Sequence, residues 1–162
     1  MKLAESKLDT IKHIENVRKY IKVFTDALTQ RGIDHDRTKL ESPEAEEFAS
    51  VNDKLAKFTY GSEEYNQCIK EELSVALDAH YAKNRHHPEH FGKQGINDMN
   101  LVDIVEMFAD WKASSERQNN GNLLISIDKN AERYNIDDQL KKIFINTAKM
   151  LDEHNALKPK DI

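Results

Sequence analysis

Four of the chain's seven histidines lie between residues 79 and 91, in the stretch AHYAKNRHHPEHF. Neutral imidazole is a common metal ligand, and together with carboxylates it holds a divalent cation while leaving positions open to water. Histidines beside a proline are also typical of exposed loops, so this stretch alone does not decide between the two interpretations. A metal site requires further ligands from other parts of the chain.

Two further segments supply candidate ligands before this stretch. His13 lies on the apolar side of the first predicted helix, and His35 and Asp36 follow where that helix ends. Within the histidine-rich stretch, His80 also falls on the apolar side of its helix. Because apolar helix faces turn toward the core, we expect both His13 and His80 to point inward.

A later helix, which begins after Asn100, carries Asp103, Glu106 and Asp110 on one face, since residues three and seven positions apart share a side. The apolar stripe of this helix is centred nearly opposite these acids. They form either a solvated face or one wall of a polar cleft. Either Asp103 or Asp110 fits as the last ligand of a metal site, and the spacing does not choose between them.

Helical periodicity without alternating strand patterns predicts an all-α fold. In the first helix, residues 14, 17, 21, 24 and 28 form an apolar stripe that we expect to pack against the core. The predicted helices span about residues 8–31, 43–58, 62–84, 100–117, 123–134 and 137–154.

Composition narrows the class of protein. A chain of 162 residues is long enough for one domain with its own core, which we place at residues 1–162, with a central part at about 8–117 and C-terminal helices at about 122–154. One cysteine indicates a reducing, cytoplasmic setting, and no apolar run reaches membrane-spanning length. A formal charge of −5 argues against a nucleic-acid partner.

The order of these residues resembles the H…HD…D signature of HD-domain metal-dependent phosphohydrolases. His13, then the pair His35 and Asp36 followed by Lys39, match its first part, including the HDxxK form. The later HHPEH resembles the additional histidines of members with two metals, and the whole order resembles an uncharacterised bacterial and phage HD-like family. The resemblance implies a single HD-like helical bundle of about six helices.

The resemblance also implies roles for particular residues. His13, His35, Asp36 and Asp103 or Asp110 would bind a first divalent cation, and His80 with two of the later histidines would bind a second. We expect His80, His87 and His90 to be the stronger ligands, and His86 to support them or to face the substrate. Asp36 and Glu106 would have catalytic roles. The substrate phosphate would be bound by Lys39, Arg37 and Arg85.

These expectations favour hydrolysis of a nucleotide or another small phosphoester, with one or two ions of Mn, Zn, Fe, Co, Ni or Mg. Two alternatives stay open: a non-catalytic metal-binding or regulatory protein, and a di-iron oxygenase on the same scaffold. The chain lacks the Glu-x-x-His pair of ferritin-like di-iron proteins, which counts against the second alternative. A homo-oligomer is compatible with each of these three functions.

Overall fold

The computed structural model describes residues 2–55, 58, 62–72, 74–117 and 121–156. Within these ranges the chain forms seven α-helices and no β-strand, which confirms the predicted all-α class. Two 3-10 segments, Arg37–Leu40 (the 37–40 turn) and Pro88–Asp98 (the 88–98 segment), lie between helices. The helices are α1 (Lys2–Asp34), α2 (Glu44–Leu55), α3 (Glu63–Glu72), α4 (Ser74–Lys83), α5 (Leu101–Glu116), α6 (Leu123–Arg133) and α7 (Asp138–Ala156).

The main hydrophobic core lies between α5, α6 and α7. Ile127 of α6 is fully buried, and the rings of Phe108 and Phe144 stack with their centroids 5.4 Å apart. Burying large side chains such as these stabilises a fold by about 1.5–3 kcal/mol each. The buried members of this core are Met107, Phe108, Trp111, Leu123, Ile127, Phe144 and Ala148.

A smaller cluster joins α2 to α4, where Val51 and Ala76 are buried against Phe48 and Leu77. This contact fixes the orientation of α4, whose last turns carry His80. His80 is buried, as the apolar face of its helix predicted.

Helix α5 is buried on two faces. Met107, Phe108 and Trp111 pack into the main core, and Asp103 and Glu106 on the opposite side are also buried. The helix starts where the sequence predicted: the Asn100 side chain accepts hydrogen bonds from the backbone N–H of Val102 and Asp103, and Asp103 accepts one from the N–H of Asn100. The acids at positions 103 and 106 are therefore not a solvated face.

The expectation that the α1 stripe packs against the core is wrong for most of its length. Every residue from 2 to 26 is exposed, including Ile14, Val17, Ile21 and Phe24. Only the C-terminal part of α1 approaches the rest of the described chain, where it packs on α5. Among the described residues, no helix combines the length and the hydropathy needed to cross a membrane.

The chain leaves α1 through a left-handed residue. Helix α1 continues past Gly32 to Asp34, and Asp36 then adopts φ 56° and ψ 14° before the 37–40 turn begins. Aspartate tolerates this conformation better than most residues, yet it remains uncommon outside glycine. The turn directs the side chains of His35 and Asp36 toward α4 and α5.

Candidate metal centre

Four side chains from three parts of the chain direct one ligand atom each toward a common point. Asp36 follows α1, His80 lies near the end of α4, and His86 and His87 lie between α4 and the 88–98 segment. All four ligand atoms lie within 4.8 Å of one another. We call Asp36, His80, His86 and His87 the four-donor group.

The distances within this group match those between ligands of a single cation. His80 Nε2 lies 3.0 Å from His87 Nε2 and 3.2 Å from Asp36 Oδ1, and His86 Nε2 lies 3.5 Å from the same oxygen. Metal–ligand bonds of about 2.0–2.2 Å place tetrahedral ligands roughly 3.3–3.6 Å apart, and neighbouring octahedral ligands roughly 3 Å apart. These four atoms could therefore hold a cation of zinc or transition-metal size.

Two atoms of the group have no other partner. Asp36 Oδ1 and His86 Nε2 are buried and make no hydrogen bond. Leaving a buried polar atom unpaired costs about 1–3 kcal/mol, and more for a charged group. A cation bound between them would satisfy both.

A buried carboxylate fixes the hydrogen on His80. Glu44 Oε2 lies 3.0 Å from His80 Nδ1 and accepts a hydrogen bond from the Thr38 hydroxyl at 2.8 Å. The Asn84 amide nitrogen is also 3.0 Å from Nδ1, but it donates its two hydrogens to His80 O and Thr38 Oγ1 at 2.8 and 3.1 Å. The His80 Nδ1–H therefore donates to Glu44, which directs the Nε2 lone pair at the four-donor group.

Glu106 orients His86 in the same way. Its Oε1 accepts hydrogen bonds from Nδ1 of His86 at 3.1 Å and Nδ1 of His35 at 2.9 Å, while Oε2 pairs with the Arg31 guanidinium. Burial raises the pKa of Glu106, but the hydrogen bonds from His35, His86 and Arg31 outweigh it and hold the pKa below its usual range. His35, His86 and Glu106 also have cation-site spacing, but Arg31 already supplies a positive charge there.

The open side of the group is formed by Asp36, His35, Asp110 and Lys39. His35 Nε2 lies 3.7 Å from Asp36 Oδ2 and 3.8 Å from Asp110 Oδ1, and each of these three side chains is about a quarter exposed. Asp110 and Glu106 favour the protonated ring and raise the pKa of His35 to about 10. His35 therefore carries a positive charge at neutral pH when no cation is bound.

The electrostatics of the other ligands differ from those of His35. Burial, with His86 and His80 close by, lowers the pKa of His87 to about 3, so its ring is neutral and its lone pair is free at neutral pH. Burial raises the pKa of Asp36, but Lys39, whose Nζ is 2.7 Å from Oδ2, lowers it below the usual range. Neutral imidazole and ionised carboxylate are the forms that bind a metal.

Three predicted ligands lie elsewhere. His13 is exposed on α1, 22 positions before His35 and so about 33 Å away along the helix, and the predicted convergence of the two is wrong. His90 instead hydrogen-bonds through Nδ1 to the carbonyl of Tyr81 at 2.9 Å. Asp103 is fully buried between the guanidinium groups of Arg31 and Arg85, at 2.9 Å from each.

Other assignments also change. His86, expected outside the direct ligands, has its Nε2 in the four-donor group. Arg85, expected at the substrate phosphate, is held by both oxygens of Asp103. Lys39 lies at the open side against Asp36, and Arg37 is largely exposed nearby, 3.7 Å from Asp34.

Sequence reasoning missed Glu44, Asn84 and Arg31, which position the ligands. The spacing of His80 and Asn84, four apart on one helix face, was the only signal for any of them. The sequence placed Glu44 in the second predicted helix and Arg31 at the end of the first, and it indicated no role for either.

The fold and this geometry define an all-α protein with a buried cluster of histidines and carboxylates that can hold a metal ion. The chain belongs to a family of unknown function, DUF5662, whose model matches residues 2–153. Comparison with curated proteins and with solved structures finds no match.

Proposed function

We propose that this chain is a metal-dependent phosphohydrolase acting on a nucleotide or another small phosphoester. The observation that supports this proposal is the convergence of Asp36 Oδ1 with three imidazole nitrogens. Two of these four atoms are buried without a hydrogen-bond partner. The order of His35, Asp36 and Lys39 resembles HD-domain enzymes and favours a phosphoester over other hydrolysable substrates.

The four-donor group would hold the cation, which supplies a water of lowered pKa and stabilises charge on phosphoryl oxygens. On the open side, the ammonium of Lys39 and the guanidinium of Arg37 attract the substrate phosphate. His35 Nε2 faces the open side beside Asp36 and Asp110, where a protonated ring would donate a proton to the leaving oxygen. Glu106 holds the His35 ring through Nδ1 at 2.9 Å, which leaves Nε2 at the open side.

A second cation beside His35 is less favoured. His35 Nε2 lies 3.7 Å from Asp36 Oδ2 and 3.8 Å from Asp110 Oδ1, but these three side chains do not form a group whose ligand atoms all lie within 4.8 Å of one another. Binding there requires His35 to lose its proton and Lys39 to release Asp36, and both changes cost free energy. We therefore expect the four-donor group to fill first.

A non-catalytic metal-binding protein is the second candidate. Three imidazoles and a carboxylate are enough to complete the tetrahedral shell of a structural zinc ion, which leaves no position for water. Manganese, cobalt, nickel or iron with five or six ligands would keep one or two positions open.

The experiment measures metal content and hydrolysis on the same samples of untagged protein, purified without chelator. The assays use p-nitrophenyl phosphate, bis-p-nitrophenyl phosphate and a panel of nucleotides, with Mn, Co, Ni or Zn added. The main variant is Asp36→Asn, because asparagine also tolerates the left-handed backbone of this position. The matched control is His13→Ala, which removes a histidine that the structure places far from the site, and helical content checks folding.

We expect about one tightly bound ion per chain, metal-dependent turnover that a chelator abolishes, and a loss of at least about 100-fold in turnover in Asp36→Asn. His13→Ala should behave as wild type. Tight zinc binding without turnover on any substrate would favour the second candidate. Turnover that survives both chelation and Asp36→Asn would refute the phosphohydrolase proposal.

A further inference from the structure

Helix α1 presents an apolar surface that no described residue of the chain covers. The surface consists of Ile14, Val17, Ile21 and Phe24, which we call the α1 seam, and it is flanked by Ile11 and Tyr20. Each of these six side chains is 43–61% exposed. Isolated apolar residues on a surface are ordinary, but a continuous row of this length marks an interaction site.

The spacing of the seam indicates what kind of surface covers it. Its residues follow one another at intervals of three, four and three, and Leu28 continues the row after four more. This heptad spacing places apolar side chains along a narrow line on the helix, which is the pattern of helices that pair side by side. Ile11 and Tyr20 occupy the positions that flank such a line.

The long exposed part of α1 favours a partner. Helix α1 has 33 residues, yet residues 2–26 are exposed, and among the described residues it is the C-terminal part that packs on α5. Helices in proteins gain most of their stability from tertiary packing of an apolar face rather than from helix propensity. A second helix along the seam would provide that packing.

We propose that the α1 seam pairs with the α1 seam of a second copy of this chain, forming a homodimer. Complete burial of the exposed parts of these six side chains removes about 500 Å² per chain from water, or about 1,000 Å² for the pair, which is at the lower end of specific protein interfaces. A symmetric pair needs one self-complementary surface, and a straight apolar seam on a projecting helix provides it.

The polar side of α1 favours this partner over a membrane. The polar side carries both charges in similar number, with two of the basic side chains paired to acids of the same helix, Lys12 to Asp9 and Lys22 to Asp26. Its charged residues between positions 9 and 26 are Lys12, Arg18, Lys19, Lys22, Asp9, Glu15 and Asp26. Helices that lie on anionic lipid carry a predominantly basic polar face and a broad apolar one. A narrow seam with a mixed polar face is typical of paired helices in water.

The test is the mass of the full-length chain by sedimentation velocity and equilibrium between about 1 and 100 µM. The disrupting variant is Ile14→Glu with Ile21→Glu, which places four carboxylates in the paired seams. The matched control is Lys12→Glu with Lys19→Glu, which introduces the same residues on the opposite side of the same helix. Helical content is recorded for each protein across the concentration range.

We expect a dimer for wild type and control, and a rise of at least about 100-fold in the dimer dissociation constant for the seam variant. Helical content should fall as the wild-type dimer dissociates on dilution. A wild-type chain that stays monomeric at 100 µM overturns the proposal whatever the variants do. A monomer that binds vesicles of phosphatidylglycerol and phosphatidylcholine through the seam would also overturn the proposal. So would a dimer that the seam variant leaves intact.

Discussion

At the scale of single residues, two buried carboxylates determine which nitrogen of each ligand histidine is free to bind metal. Glu44 accepts the Nδ1 hydrogen of His80, and Glu106 accepts that of His86. Each pair leaves the Nε2 lone pair directed at the four-donor group. Sequence reasoning assigned Glu106 to catalysis, and in the structure its carboxylate contacts His35, His86 and Arg31. The two pairs join residues 36 and 20 positions apart, which no helical period relates.

We predict that Glu44→Gln weakens metal binding by about 10–100-fold, because glutamine holds the ring of His80 without the negative charge that makes its Nε2 a stronger ligand. The measurement is a competition titration against a chelator of known affinity. Glu46→Gln is the matched control, since Glu46 is exposed on the same helix. Equal affinities for the two variants would show that Glu44 does not act on the metal.

At the scale of helices, periodicity identified apolar faces correctly but did not show what covers them. Ile104, Phe108 and Trp111 of α5 pack in the core as predicted, whereas Leu101 and Val105 of the same apolar stripe are exposed. The acidic face is buried at Asp103, because Arg31 of α1 and Arg85 neutralise this side chain. The apolar face of α1 is equally clear in the sequence, yet it is exposed over most of its length. An amphipathic pattern describes one helix, whereas burial depends on the neighbours that the fold provides.

We predict that Asp103→Asn lowers the free energy of unfolding by roughly 2–4 kcal/mol, because it leaves two guanidinium groups without their shared buried counterion. Asparagine has the same shape and still accepts the hydrogen bond from the Asn100 backbone. The measurement is urea unfolding of metal-free protein. Asp128→Asn is the control: it breaks the exposed pair with Lys141 and should cost less than about 1 kcal/mol. A loss no larger than that of the control would contradict a structural role for Asp103.

At the scale of the whole molecule, the candidate site brings together segments that are distant in the chain. The resemblance assigned Asp36 to a first cation and His80 with the later histidines to a second, whereas the structure brings Asp36, His80, His86 and His87 into one group. The sequence could not predict that His13 is excluded, because an inward-facing position and a ligand position look alike until the path of α1 is known. The absence of hydrogen-bond partners for Asp36 Oδ1 and His86 Nε2 is apparent only when the three segments are placed together.

A cation in the four-donor group would connect the end of α1, the end of α4 and the segment before residue 88. We therefore predict that metal stabilises the whole fold: at 100 times the dissociation constant it adds about 2.7 kcal/mol. For a chain of this length that free energy corresponds to a rise of about 5–10 °C in Tm. Thermal unfolding of metal-free protein, with and without Mn, Co, Ni or Zn, provides the measurement. His13→Ala should show the full rise, and Asp36→Asn should show little of it. An equal rise in both variants would mean that the ion binds elsewhere on the chain.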